Sequence, residues 1–195
     1  MQVKKTKLKS IIPYEGLASG YSFRGKITNK PNGNVRVIQL KDFTNNYSEI
    51  GEECYLVDGS KIKDKYYLQD GDILFISKGA NNFAVTYNKT DSIPTIASSA
   101  LFVITVDPKV AYPRYVAWYI NQTPVQSYFK QNEMGTYITS INKKTIEEIP
   151  LKLPPIQMQE KIATLAVLAT KEQALYNQIK ELRGSLIQTL LLKSI

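Results

Sequence analysis

The sequence predicts an α+β fold in two parts: a mixed-sheet domain over 1–153, and a long C-terminal helix of coiled-coil type over 154–195. In the first part, short β-branched and aromatic runs mix with short helical stretches, without regular alternation. After Leu153-Pro154-Pro155 the apolar residues change to a seven-residue period, and no glycine or proline follows before Gly184. The change of period marks the boundary between the two parts.

The first part is predicted to contain four strands and two helices. The strands are the β-branched and aromatic runs at 35–40, 73–76, 83–87 and 101–106. Turn signals rich in Gly, Asn, Asp and Pro occur at 31–34, 69–72 and 78–82. One helix is predicted at 114–120, because Pro113 is a favourable first-turn residue, and a shorter one at 143–148.

The second part is predicted to be one helix from Pro155 to Lys193, about 55–60 Å long at 1.5 Å per residue. Its a and d heptad positions are mostly apolar, with Glu172 and Thr189 as polar exceptions. The apolar members are Leu165, Leu168, Leu175, Ile179, Leu182 and Leu186. Such a seam needs burial, so we expect a two-fold homodimer with antiparallel helices. The alternative is that the helix folds back onto its own domain.

Composition limits the chemistry of this chain. Lys plus Arg is 25 and Asp plus Glu is 17, a net charge of +8 that favours a polyanionic partner, although it is also compatible with plain solubilising charge. The sequence has no histidine and a single cysteine, Cys54, so histidine-dependent nucleophilic catalysis and zinc sites are excluded. No phosphate-loop or dinucleotide-binding pattern occurs. We therefore expect no catalytic residue and no metal site.

The sequence also suggests a compartment. The basic N-terminus is not followed by the apolar segment of a secretory signal, and no apolar run approaches the roughly 18 residues of a membrane span. A lone cysteine forms no internal disulfide, which suits the cytoplasm. A cytoplasmic protein without a membrane partner is expected.

Several segments in order resemble one protein family. They are the glycine-turn opening at 18–27, the strand at 37–42, the Gly-Asp-Ile-Leu strand with its basic turn at 70–79, the aromatic helix ending in Asn at 115–121, the Gly-Thr segment at 135–142, and the entry Pro-Leu-Lys-Leu-Pro-Pro-Ile-Gln-Met-Gln into the long helix at 150–159. This order resembles the specificity subunits of Type I restriction–modification systems. The chain resembles a half-length form with a single target-recognition domain.

The resemblance implies double-stranded DNA as the ligand, and catalysis by partners. Methyltransferase subunits would carry S-adenosylmethionine and a restriction subunit would cut, so no cofactor is expected on this chain. A homodimer would read a bipartite site, two inverted half-sites separated by unspecified bases. The alternative is an adaptor whose basic domain binds RNA or an acidic protein.

DNA reading needs cations for phosphates and amide, hydroxyl or guanidinium groups for base edges. Two loops, 77–82 with Gly79 and 136–144 directly after Gly135, are the preferred contacts because each combines such groups. The full candidate set is Tyr21, Arg24, Lys26, Arg36, Lys41, Lys78, Asn81, Asn82, Tyr137, Thr139, Ser140, Asn142, Lys143 and Lys144.

Overall fold

The computed structural model describes residues 3–44, 49–78, 82–132 and 140–194. In these ranges the strands are β1 (Lys4–Lys7), β2 (Leu17–Ser19), β3 (Val35–Ile38), β4 (Phe43–Thr44), β5 (Glu49–Ile50), β6 (Tyr55–Val57), β7 (Ile73–Ile76), β8 (Ala84–Thr86), β9 (Thr95–Ala97), β10 (Leu101–Ile104) and β11 (Pro150–Leu153). The helices are α1 (Pro113–Ile120), α2 (Thr123–Asn132), α3 (Lys143–Glu147) and α4 (Ile156–Leu192). Mixed sheets followed by a long helix confirm the α+β prediction.

The central feature is an antiparallel sheet in the order β2-β10-β7-β8. All four residues of β7 are buried, because both faces of the sheet are covered. Ile73 and Phe75 face a core shared with α1, α2 and the start of α4, whereas Leu74 and Ile76 face a second core. Since side chains alternate along a strand, one apolar run supplies both cores.

A second sheet has the order β6-β3-β9, with β3 antiparallel to β6 and parallel to β9. Val35, Val37, Val57 and Ile96 form its own small core. The loops 20–34 and 58–66 pack around this core through half-buried aromatic and aliphatic side chains. The domain therefore has a second lobe beside the central sheet.

Strand β1 pairs with β11, the strand directly before α4, and Lys4 lies opposite Leu153. Gln159, in the first turn of α4, is buried. Its Oε1 accepts the Tyr112 backbone N–H at 2.9 Å, and its Nε2 donates to the Pro154 carbonyl at 2.8 Å and the Val110 carbonyl at 3.4 Å. These bonds attach the beginning of α4 to the segment that leads into α1.

The helix leaves the domain after two to three turns. Gln159 and Ala163 are its buried residues, and from residue 167 to residue 194 every described position is exposed. The alternative in which the helix folds back onto its domain is therefore wrong: only the first turns pack there. Among the described residues, no helix combines the length and apolar character needed to cross a membrane.

Among the described residues, local patterns predicted strands β3, β7, β8 and β10 and helices α1, α3 and α4, with two kinds of difference. The predicted strand 35–40 ends at Ile38, because Leu40–Asp42 turns into a 3-10 helix in which the Asp42 carboxylate accepts the Gln39 N–H at 2.8 Å. The predicted strand 101–106 ends at Ile104. Strands β1, β2, β4, β5, β6, β9 and β11 and helix α2 were not predicted.

Candidate nucleic-acid interface

One end of the central sheet gathers the loops that contain most of the predicted contacts. Ser19 at the end of β2 lies opposite Phe102, and Leu101 at the start of β10 lies opposite Ile76 at the end of β7. Ala84 at the start of β8 lies at this same end, opposite Phe75. The segments after β2 and β7 and before β8 therefore leave the sheet together.

The described parts of the two preferred contact loops are neighbours in the structure. Lys78 and Ser140 form an isolated antiparallel bridge, and the Ile141 N–H donates to the Ser77 carbonyl at 2.9 Å. The Ser77 hydroxyl in turn donates to the Ala100 carbonyl at 3.3 Å. Segments more than 60 residues apart in sequence are thus joined at the end of β7.

Cations on these loops are open to solvent. Lys78, Lys143 and Lys144 are exposed, and Ser140 is half-buried between them in sequence. Asn142 begins α3, and its side chain accepts the Thr145 N–H at 2.8 Å. Lys143 lies 3.9 Å from Glu147, a marginal surface ion pair that leaves its ammonium accessible. The described part of the loops combines three cations with a hydroxyl and an amide.

Tyr21, Arg24 and Lys26 follow β2 at the same end of the sheet. The Tyr21 N–H donates to the Ala97 carbonyl at 2.7 Å, and the Tyr21 ring packs edge-on against Phe23 and Tyr66. Arg24 and Lys26 are exposed. Gly20 permits this course, because a Cβ there would lie 2.3 Å from the Ser98 carbonyl oxygen.

The side chains of three other candidates already interact with groups of this same chain. The Arg36 guanidinium donates to both oxygens of Asp91, at 2.6 and 3.1 Å. The Lys41 ammonium lies 3.2 Å from the centroid of the Tyr55 ring and 3.7 Å from Asp42.

Asn82 is the third. It is 3% exposed, and its side chain donates to the Ile76 carbonyl at 3.1 Å. The structure therefore assigns Asn82 to shaping the turn, in place of the predicted contact with a base. The remaining candidates, Asn81, Tyr137 and Thr139, lie outside the described residues.

Residues that hold this end of the sheet were not among the candidates. The Asn121 side chain accepts the Ala84 N–H and donates to the Ala84 carbonyl, both at 2.8 Å, so it pairs with the edge strand β8 as a further strand would. Gln126 donates to the Asn82 carbonyl at 3.0 Å and to the Ile120 carbonyl at 2.9 Å. The only sequence signal is an amide at the end of the aromatic helix.

Cys54 fits a structural role. Burial raises the pKa of its thiol to about 11, with the nearby Asp42 charge adding to the effect. The thiol also donates to the Gly51 carbonyl at 3.4 Å. A thiol with this pKa is almost fully protonated at neutral pH and is a poor nucleophile.

The predicted pairing face of α4 is open. The six apolar a and d residues from Leu165 to Leu186 are between 49% and 66% exposed. The heptad pattern places them along one side of the helix, which extends about 40 Å beyond the domain at 1.5 Å per residue. An exposed apolar seam of this length, interrupted by Glu172, is unusual on a surface without a partner.

The described loops at one end of this mixed α+β domain carry exposed lysines, and a helix with an apolar heptad seam projects from the domain. The family model of the Type I restriction modification DNA specificity domain matches residues 2–181. The chain therefore belongs to this family, which confirms the resemblance and the DNA specificity role it predicted. A search of curated proteins finds no significant match.

Solved structures show the same fold. The S subunit of a Type I restriction–modification system from M. genitalium matches with a TM-score of 0.57 and 16% identity over 91% of this chain. The HsdS subunit from Thermoanaerobacter tengcongensis matches with a TM-score of 0.60 and 13% identity over 93%. A chain from a study of complex assembly and conformational transition of the type I R-M system matches with a TM-score of 0.66 and 13% identity over 90%. The chain spans 41% to 44% of the length of these three.

Proposed function

We propose that this chain reads DNA sequence for a Type I restriction–modification system and has no catalytic centre of its own. Methyltransferase subunits, with S-adenosylmethionine, and a restriction subunit would act at the site it selects. The proposal rests mainly on one observation: Ser77 and Lys78 meet Ser140 and Ile141 at one end of the central sheet, joined by the Lys78–Ser140 bridge. Loops on a rigid sheet are a common way to present base-reading groups.

Cations and polar groups on this surface have separate tasks. Lysine ammoniums attract phosphates whatever the base sequence, whereas hydroxyl and amide groups read base edges. Lys78, Lys143 and Lys144 supply the first type. Arg24 and Lys26 extend the surface beyond β2.

The binding test compares Lys78→Ala and Lys143→Ala with Lys89→Ala. Lys89 is exposed and follows β8, whose last residue lies opposite Ile73 at the other end of the sheet. Each loop variant should reduce the magnitude of the slope of log affinity against log salt by about 0.9 for every DNA sequence, which is the effect of one lost phosphate contact. The Lys89 variant should keep the wild-type slope. Tighter binding of duplex RNA than of DNA, or equal slopes in all variants, would argue against DNA reading by these loops.

The same proposal assigns α4 to pairing with a second copy in antiparallel fashion. The exposed seam from Leu165 to Leu186 supports it, because pairing would remove these side chains from water. A 37-residue helix is about 55 Å long, more than one DNA turn of about 34–36 Å. Domains at opposite ends of the pair would read two half-sites separated by unread bases.

Sedimentation tests the pairing. Leu175→Asp with Leu182→Asp places two charges in the seam, and burying unpaired charges is strongly unfavourable. This variant should sediment as a monomer at tens of micromolar, with unchanged far-ultraviolet signal from the domain. Ala174→Asp with Asn177→Asp adds the same charge outside the a and d positions and should still sediment as a dimer. A wild-type monomer under these conditions would show that α4 has another partner.

A further inference from the structure

The second lobe presents a basic surface that is separate from the contact loops. Loops 20–34 and 58–66 pack together on it, because the Gly59 N–H donates to the Asn34 side chain at 2.8 Å. The first loop is also bound to β6, where the Leu56 carbonyl accepts the Lys30 N–H at 2.8 Å. The Tyr21 and Tyr66 rings, whose centroids are 5.1 Å apart, connect the two loops. The loops therefore form one surface.

Residues alternate between core and solvent along the second loop. Ile62 and Tyr66 pack against the small core of Val35, Val37, Val57 and Ile96. Lys61, Lys63 and Lys65 are exposed. Burial of the apolar residues thus turns three successive cations outward on one short segment.

The charge on this surface is strongly one-sided. Together the two loops contain Arg24, Lys26, Lys30, Lys61, Lys63 and Lys65 against Asp58 and Asp64, so 6 − 2 = +4 of the net +8 of the chain lies within 24 residues. Within the described residues, none of these six cations forms an ion pair within 4 Å, unlike Lys7, Lys9 and Arg36.

The two acidic residues neutralise the surface only in part. Hydrogen bonds from the Ser60 backbone and hydroxyl hold the pKa of the Asp58 carboxyl below its ordinary value, and the charges of Lys30 and Lys61 contribute. Asp58 therefore stays ionised, and its carboxylate already accepts hydrogen bonds from Ser60. Like charges at this density repel one another in the free protein, and a polyanion would relieve that repulsion.

We propose that Lys30, Lys61, Lys63 and Lys65, here called the lobe patch, bind the phosphate backbone of duplex DNA beside the bases read by the contact loops. This inference rests on the proposed function. Contact between Tyr66 and Tyr21 makes the lobe patch continuous with the segment that follows β2. Lysines on flexible stems act as point charges, so the patch adds affinity and orientation without base preference.

The test uses the full chain and a labelled 40-base-pair duplex of random sequence, with binding followed by fluorescence anisotropy between 50 and 200 mM salt. The patch variant is Lys63→Gln with Lys65→Gln. The control is Lys89→Gln with Lys109→Gln, which removes the same charge at exposed positions near the other end of the central sheet. Thermal unfolding confirms that both variants are folded.

Loss of two phosphate contacts should reduce the magnitude of the slope of log affinity against log salt by about 1.8. The drop in affinity over this fourfold salt range should then be about twelvefold smaller than in wild type. The control should keep the wild-type slope. Equal slopes for wild type and the patch variant, with wild type still bound, overturn the lobe patch and leave the proposed function intact. A patch variant that loses duplex RNA binding but keeps DNA binding also overturns it. A wild-type chain without salt-dependent DNA binding instead defeats the proposed function.

Discussion

Replacing Gln159 by alanine should destabilise the junction between the domain and α4. The side chain is 1% exposed and makes three hydrogen bonds, the shortest to the Tyr112 N–H and the Pro154 carbonyl. Alanine cannot make them, so the N–H of Tyr112 and the carbonyl of Pro154 would lose a partner away from bulk water. The helix itself would not suffer, because alanine is a better helix former than glutamine.

The expected magnitude follows from the two short bonds. Each polar group left unsatisfied after burial costs about 1–3 kcal/mol, and partial entry of water lowers the sum. We therefore expect the free energy of unfolding to fall by about 2–4 kcal/mol. The weaker contact with Val110, at 3.4 Å, adds little.

Urea unfolding followed by circular dichroism measures this loss. The matched control is Gln157→Ala, an exposed glutamine two residues earlier in the same helix, which should change the unfolding free energy by less than about 0.5 kcal/mol. The fluorescence of Trp118, on the helix that packs against α4, gives an independent signal from the junction. If the two variants have the same stability within error, Gln159 does not anchor the helix.

Three further predictions follow. Asn121→Ala removes both bonds to Ala84, so we expect a loss of about 2–3 kcal/mol and faster hydrogen exchange in β8, whereas unchanged exchange would contradict that pairing. Gly20→Ala should destabilise the protein by about 1–3 kcal/mol, because the added Cβ would meet backbone oxygens. Gly184→Ala, in α4 with open space around it, should stabilise the protein by up to about 1 kcal/mol. Thermal unfolding compares the two variants, and equal effects would refute the close approach at Gly20. Lys7 and Lys9 lower the pKa of the Glu148 carboxyl from 4.5 to about 2. The stability advantage of wild type over Glu148→Gln should therefore be complete above pH 4.5 and vanish as the pH falls to about 2. Urea titrations across that range measure this difference in stability, and a difference that stays constant with pH would contradict the prediction.

Local periodicity was enough to predict the elements whose burial is one-sided or continuous. Residues 73–76 are a strand as expected, and α4 spans 156–192 within the predicted 155–193. Strand β1 could not be predicted, because Lys-Lys-Thr-Lys has no apolar pattern and becomes a strand only by pairing with β11. Pairing with a distant segment leaves no trace in local sequence.

The same limit applies to the candidate site. Loop composition predicts DNA contacts at 77–82 and 136–144, and among the described residues Ser77 and Lys78 lie beside Ser140 and Ile141. Composition does not reveal that Arg36 is held by Asp91, 55 residues away, or that Asn82 turns inward to Ile76. Which polar groups remain available depends on tertiary partners.

The pairing of β1 with β11 also determines when the domain can be completed during synthesis. Lys4 and Leu153 lie opposite each other, so almost the whole domain must leave the ribosome before the first strand finds its neighbour. Bringing together segments this far apart in sequence costs loop-closure entropy, and such long-range pairing slows folding. Nascent chains that end before residue 150 should therefore expose Leu8, which packs in the same core as Ile149, Leu151 and Leu153.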